Sequence, residues 1–175
     1  MRCVVYSCVL LASSILPASG QDRKALDPSP AEGFQFTGTW NCEGKFRNSK
    51  VHKSVYTGAV ILGGKWLELT EQDIEPATGY QAKYLIGYDP LQKQLLEFDA
   101  NNFGAAVYSS GSGWQKKVLV MTSPISRDAG ASYAANRFVY TITGNDSFTV
   151  DWQISQTSAL KWIPADHLSC ERKSK

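Results

Sequence analysis

Beyond residue 33 no stretch of a dozen residues places its apolar side chains at helical spacing. Instead, short runs of alternating or β-branched and aromatic residues recur about every 10 to 14 positions, which is the pattern of an all-β chain. The clearest run sets Tyr80, Ala82, Tyr84, Ile86 and Tyr88 on one strand face and Gln81 and Lys83 on the other, as in a sheet with one dry side. Continuing in this way, strands are expected at 36–46, 50–62, 65–73, 80–88, 93–98, 103–110, 114–122, 134–143, 147–154 and 162–171. Between them stand Gly63-Gly64, Asp89-Pro90, Asn101-Asn102, Gly111-Ser112-Gly113 and Gly144-Asn145-Asp146, all turn-forming combinations. Links this short join neighbouring antiparallel strands. An even number of such strands can bring the last beside the first and remove both sheet edges, so the sequence predicts an antiparallel up-and-down β-barrel of about ten strands.

The chain is 175 residues long, enough for one domain. Its N-terminus changes the picture of where that domain begins. Residues 1–20 carry Arg2, an apolar run over 4–16 and then Pro17-Ala18-Ser19-Gly20, which reads as a secretory signal peptide. The run is too short to cross a bilayer, so no membrane span is expected. Residues 21–33 are polar, with Pro28 and Pro30, and are expected to form a flexible leader; the barrel domain is placed at 34–173. The expected location is secreted or periplasmic. Cys3 and Cys8 leave with the signal, and the remaining Cys42 and Cys170 are expected to form a disulfide in an oxidising compartment, two buried free thiols being the alternative. If they pair directly between the first and last strands, Trp40 lies opposite Arg172 on the same face, positioned for a cation–π contact.

Gly38-Thr39-Trp40 at the start of the first strand, with Arg172 near the end of the last, resembles the lipocalin and wider calycin superfamily, in which a Trp at the barrel base packs against a C-terminal Arg. The further series Gly64-Lys65-Trp66, Gly87-Tyr88-Asp89, Phe98-Asp99, Ser110-Gly111-Ser112-Gly113-Trp114, Arg137 and Arg172-Lys173 resembles the bacterial proteins, often exported, called domain of unknown function 1579. That resemblance implies a lipocalin-like barrel and carries no catalytic residues. Asp166-His167-Leu168 also invites comparison with the haem-binding nitrobindin family, which has a ten-stranded barrel, a Gly-x-Trp start and a histidine near its C-terminal end. The sequence departs from that family at Asn41-Cys42-Glu43-Gly44-Lys45, which lacks the glycine-rich run. His167 is three residues from Cys170, so strand alternation sets it on the opposite face from Trp40 and Cys42.

Charge and motif content exclude several function classes. A net charge of +2 offers no broad field for nucleic acid or anionic membrane. With two histidines, His52 and His167, and the mature cysteines bridged, soft ligands are too few for a closed zinc site. Nucleophile-elbow, phosphate-loop and zinc-protease motifs are absent from the sequence. A barrel of ten strands is wider than its side chains need to fill, so an apolar pocket for a small hydrophobic molecule is the leading expectation. Trp66, Glu68, Tyr84, Tyr88, Arg137 and Tyr140 are the cavity candidates. Among Glu68, Glu71, Glu97 and Asp99, which could supply an inward carboxylate pair, Glu68 is preferred because it shares a face with Trp66 and Thr70. Trp40 and Arg172 are assigned structural roles. The alternatives are an envelope interaction module with a filled barrel, or an enzyme or haem protein using an inward polar residue, with His167 as the haem candidate. No catalytic residue, metal or resident cofactor is assigned.

Overall fold

The computed structural model describes residues 25–30 and 33–174; the expected signal peptide, with Cys3 and Cys8, lies outside the described residues. Ten antiparallel strands form one closed up-and-down barrel: β1 (Gly38–Phe46), β2 (Val51–Ile61), β3 (Trp66–Glu75), β4 (Gln81–Asp89), β5 (Gln94–Asn101), β6 (Gly104–Ser110), β7 (Val118–Thr122), β8 (Ala135–Gly144), β9 (Ser147–Ser155) and β10 (Ile163–Arg172). Each strand pairs with its sequence neighbours, and β1 pairs with β10 to close the ring.

The closing register is the one the cysteines imply: Cys42 stands opposite Cys170 and Trp40 opposite Arg172. The Cys42–Cys170 disulfide links positions 128 residues apart. The Arg172 guanidinium lies 4.0 Å from the Trp40 ring centroid. Arg172 also donates hydrogen bonds to the carbonyls of Gln35 and Thr37 and to Asp146 Oδ1, so its charge is neutralised and its fork held flat over the indole.

Phe34 and Phe36, just before β1, fold under the barrel and pack with Trp40 and Phe148, with ring centroids 5.0 to 6.2 Å apart. The indole of Trp40 is wholly buried and donates to the Phe36 carbonyl, 2.8 Å away. This end of the barrel is closed by side chains.

Two segments differ from the expected pattern. Residues 25–30, expected within a flexible leader, lie against the closed end: Trp114 Nε1 donates to the Pro28 carbonyl at 3.0 Å, and Leu26 packs over Gly113. Trp114, expected inside the seventh strand, stands before it instead, because it turns toward Phe36 and Pro28 rather than into the ladder. Strand β7 is correspondingly short and meets β6 at the Ser109–Thr122 pair.

Candidate functional site

Inward positions alternate along the strands, interrupted by register shifts at Lys53/Ser54, Ile142/Gly144 and Pro164/Asp166. On β2 they are His52, Ser54 and Tyr56; on β3 Leu67, Leu69, Glu71 and Asp73; on β5 Leu95, Glu97 and Asp99. Near the closed end these positions are apolar and packed. Toward the other end they turn polar and aromatic, and the barrel hollows into a cavity of about 540 Å³. Its mouth lies among the β1–β2, β3–β4, β5–β6 and β7–β8 connections, with Thr78, Tyr80, Phe103 and Tyr133 at the rim.

One wall is built around His52. Its Nδ1 is 2.7 Å from Asp166 Oδ2, its Nε2 is 2.9 Å from Asp73 Oδ1, and the ring stacks on Phe46 with centroids 4.4 Å apart. Burial alone would lower the imidazole pKa, but two carboxylates accepting from both ring nitrogens override it and hold the group up to about 9. At neutral pH His52 is therefore an imidazolium, donating to both carboxylates. Glu71 lies beside it, with Oε1 at 3.9 Å from Nε2. Ligand atoms of His52, Glu71 and Asp73 come within 4.8 Å of one another, a spacing a metal ion could bridge. With both nitrogens already bonded to carboxylates, however, the ring presents a metal with no free lone pair; the cluster is an ion-pair network in which Asp166 Oδ1 is left buried without a partner among the described residues.

The floor is a phenol relay. Tyr84 donates to Glu71 Oε2 at 2.6 Å, and Tyr80, whose hydroxyl is 3.2 Å from that of Tyr84, donates to it in turn. Burial raises the pKa of Glu71, against the opposing pull of the Tyr84 and Tyr56 hydrogen bonds. Below the floor, Glu97 is completely buried and accepts from Tyr140 at 3.2 Å, while its Oε1 has no partner. Desolvation, assisted by the Asp99 charge, pushes its pKa up to about 8, so the carboxyl is mostly neutral at pH 7.

The wall across from His52 carries Asp99, Asn101, Tyr108 and Asn136. Asp99 accepts one hydrogen bond, from Asn101 Nδ2, and burial raises its pKa. Asn136 is 5% exposed, and its Oδ1 has no hydrogen-bond partner.

Of the six cavity candidates read from the sequence, Tyr84 lines the cavity. Tyr140 points inward but lies beneath the floor on Glu97, and Tyr88 is half-buried against the core, away from the cavity. The other three face outward, and this corrects the expectation. Trp66 lies outside over Gly87, where a Cβ would collide with the indole, and stacks on Phe98. Glu68 pairs with Lys83 at 3.0 Å on the same outer face. Arg137 sits over Trp162 and donates to Gln153. The physical reason is phase: Leu67 and Leu69 own the inner face of β3, so the carboxylates that enter are Glu71 and Asp73, not Glu68. His167 also faces outward, half-exposed and 2.7 Å from Asp151.

The sequence reading missed His52, Asp73, Asp166 and Asn136 as site residues. Pairing across the first hairpin would have found His52, because Trp40 opposite Tyr56 carries the inward face back along β2 to His52. No protein-family model matches the sequence, and a comparison with curated proteins finds no match.

Proposed function

We propose that the protein is a lipocalin-like carrier that binds a small molecule with an aromatic or apolar body inside the open end of its barrel. The observation that carries this reading is the cavity of about 540 Å³, within the range that takes ligands of drug size. Phe46, Phe138, Val150, Trp152 and Leu168 give it apolar faces, and Tyr80, Tyr108 and Tyr133 give it rings with polar tips. A space of this size speaks against the alternative of a barrel filled by its own side chains. Membership of the domain of unknown function 1579 group, proposed on the motifs quoted above, is compatible with such a barrel. Export is supported by the disulfide and by the signal-like N-terminus; among the described residues no helix is long and apolar enough to cross a membrane.

The test is a fluorescence titration with N-phenyl-1-naphthylamine, which is uncharged at pH 7. The expected result is saturable enhancement at one probe per chain, abolished in Ala106→Trp, which fills the mouth from β6, with the melting temperature unchanged. If neither this probe nor a smaller phenyl-bearing probe binds saturably to the parent protein, the carrier reading is overturned.

A further inference from the structure

The lining is chemically lopsided. Glu71, Asp73, Asp99 and Asp166 bring four carboxyl groups to the cavity, against the single basic side chain His52; no Lys or Arg is among the described lining residues. On one wall the charges are paired with a cation or a phenol, since His52 is shared by Asp73 and Asp166 and Glu71 is held by Tyr84, although Asp166 Oδ1 has no partner among the described residues. On the other wall they are not. Asp99 has the Asn101 amide as its partner, and Asn136 presents a buried carbonyl oxygen that accepts no hydrogen bond from the described residues. An acceptor buried without a donor carries a desolvation cost, which a donor arriving with a ligand would remove. Between Asp99 on β5 and Asn136 on β8, in strand order, stands Tyr108 on β6, whose ring packs edge-on against Phe138 at 5.1 Å. Carboxylate, amide oxygen and aromatic faces together match a group that donates several hydrogen bonds, carries positive charge and sits over rings.

Resting on the carrier reading above, we propose that the cavity is selective for an organic cation, an amine with an aromatic or apolar body, whose ammonium group donates to Asp99 and to Asn136 Oδ1 while its body lies against Phe138 and Trp152. The acidic surroundings repel an anion of the same shape, and an uncharged analogue forgoes the charge-assisted hydrogen bonds.

The experiment is calorimetric titration of the full chain at pH 7 with three probes of one frame: 2-phenylethylamine, 2-phenylethanol and 3-phenylpropanoate. The amine is expected to bind at least about tenfold more tightly than the alcohol, the advantage of about one charge-assisted hydrogen bond, and the carboxylate not to bind measurably. Asp99→Asn, which keeps the side chain's shape, is expected to bring the amine to the level of the alcohol and leave the alcohol unchanged. Equal affinity of amine and alcohol for the parent protein needs no variant to interpret and would overturn the selectivity, as would an Asp99→Asn protein that still prefers the amine. If N-phenyl-1-naphthylamine binds and the amine has no advantage, the selectivity falls and the carrier reading stands. If none of the four probes binds, both fall.

Discussion

The two ends of this barrel are built from the same alternating strands and reach opposite outcomes. At the closed end, Phe34 and Phe36 fold back beneath Trp40 and Phe148, and each polar group near them is answered: the indole by the Phe36 carbonyl, the Arg172 guanidinium by two carbonyls and Asp146. At the open end no comparable segment folds in among the described residues, and the inward positions become His52, Glu71, Asp73, Asp99, Asn136 and Asp166 around an open space. Strand alternation thus decides which residues face inward, while the chain before β1 decides which end is sealed. Apolar rings interlock at the one end, and polar groups surround an open space at the other.

The largest effect that would sharpen this contrast is Trp40→Ala. Removing a fully buried indole from the closed end should cost about 4 kcal/mol, read as a fall in the urea midpoint, while any probe still bound by the remaining folded protein keeps its affinity. Loss of probe affinity in folded protein would show that the two ends are not separable.

Next comes His52→Gln at the open end, expected to cost roughly 3 kcal/mol at pH 6 because Asp73 and Asp166 lose their shared cation. The folded pKa of about 9 lies above the ordinary 6.5, so the stabilisation from His52 is complete below pH 6.5 and disappears as pH rises through 9. The difference between parent and variant should therefore shrink over that interval in denaturation curves taken at several pH values. A constant difference would refute the imidazolium assignment.

The smallest effect concerns Glu97, at the boundary between the two ends. Its pKa is raised from about 4.5 to about 8, so its contribution to stability is fully present below 4.5 and is lost as pH rises through 8. Glu97→Gln keeps an acceptor for Tyr140 without the charge. It should raise stability by roughly 1 to 3 kcal/mol at pH 9 and leave it nearly unchanged at pH 4.5. An equal gain at both values would point to packing rather than charge.

The fold was largely legible because alternation and turn residues are local signals. Ten strands follow from them, the Cys42–Cys170 bond from the cysteine count and an oxidising compartment, and the Trp40–Arg172 pair from the register that bond sets; the structure bears these out. The site was less legible. Trp66 looked like an inner residue because it is large and aromatic, yet Leu67 and Leu69 are the residues in phase with the core, and Gly87 leaves a seat for the indole outside. That one-residue slip set Glu68 above Glu71 among the carboxylate candidates and hid Asp73. The His52 network was invisible for another reason. Asp73 and Asp166 come from β3 and β10, on either side of the β1–β2 hairpin, and meet through ring closure rather than through any spacing along the chain.

The bond between Cys42 and Cys170 has a topological consequence. All nine connections between consecutive strands lie between these two residues in the chain. A single backbone cut in any of those loops, including the long one between β7 and β8 at the cavity mouth, leaves two pieces still joined through the disulfide. Cleavage there turns the barrel into a two-chain molecule held together at its seam, and the halves separate only when the bond is reduced.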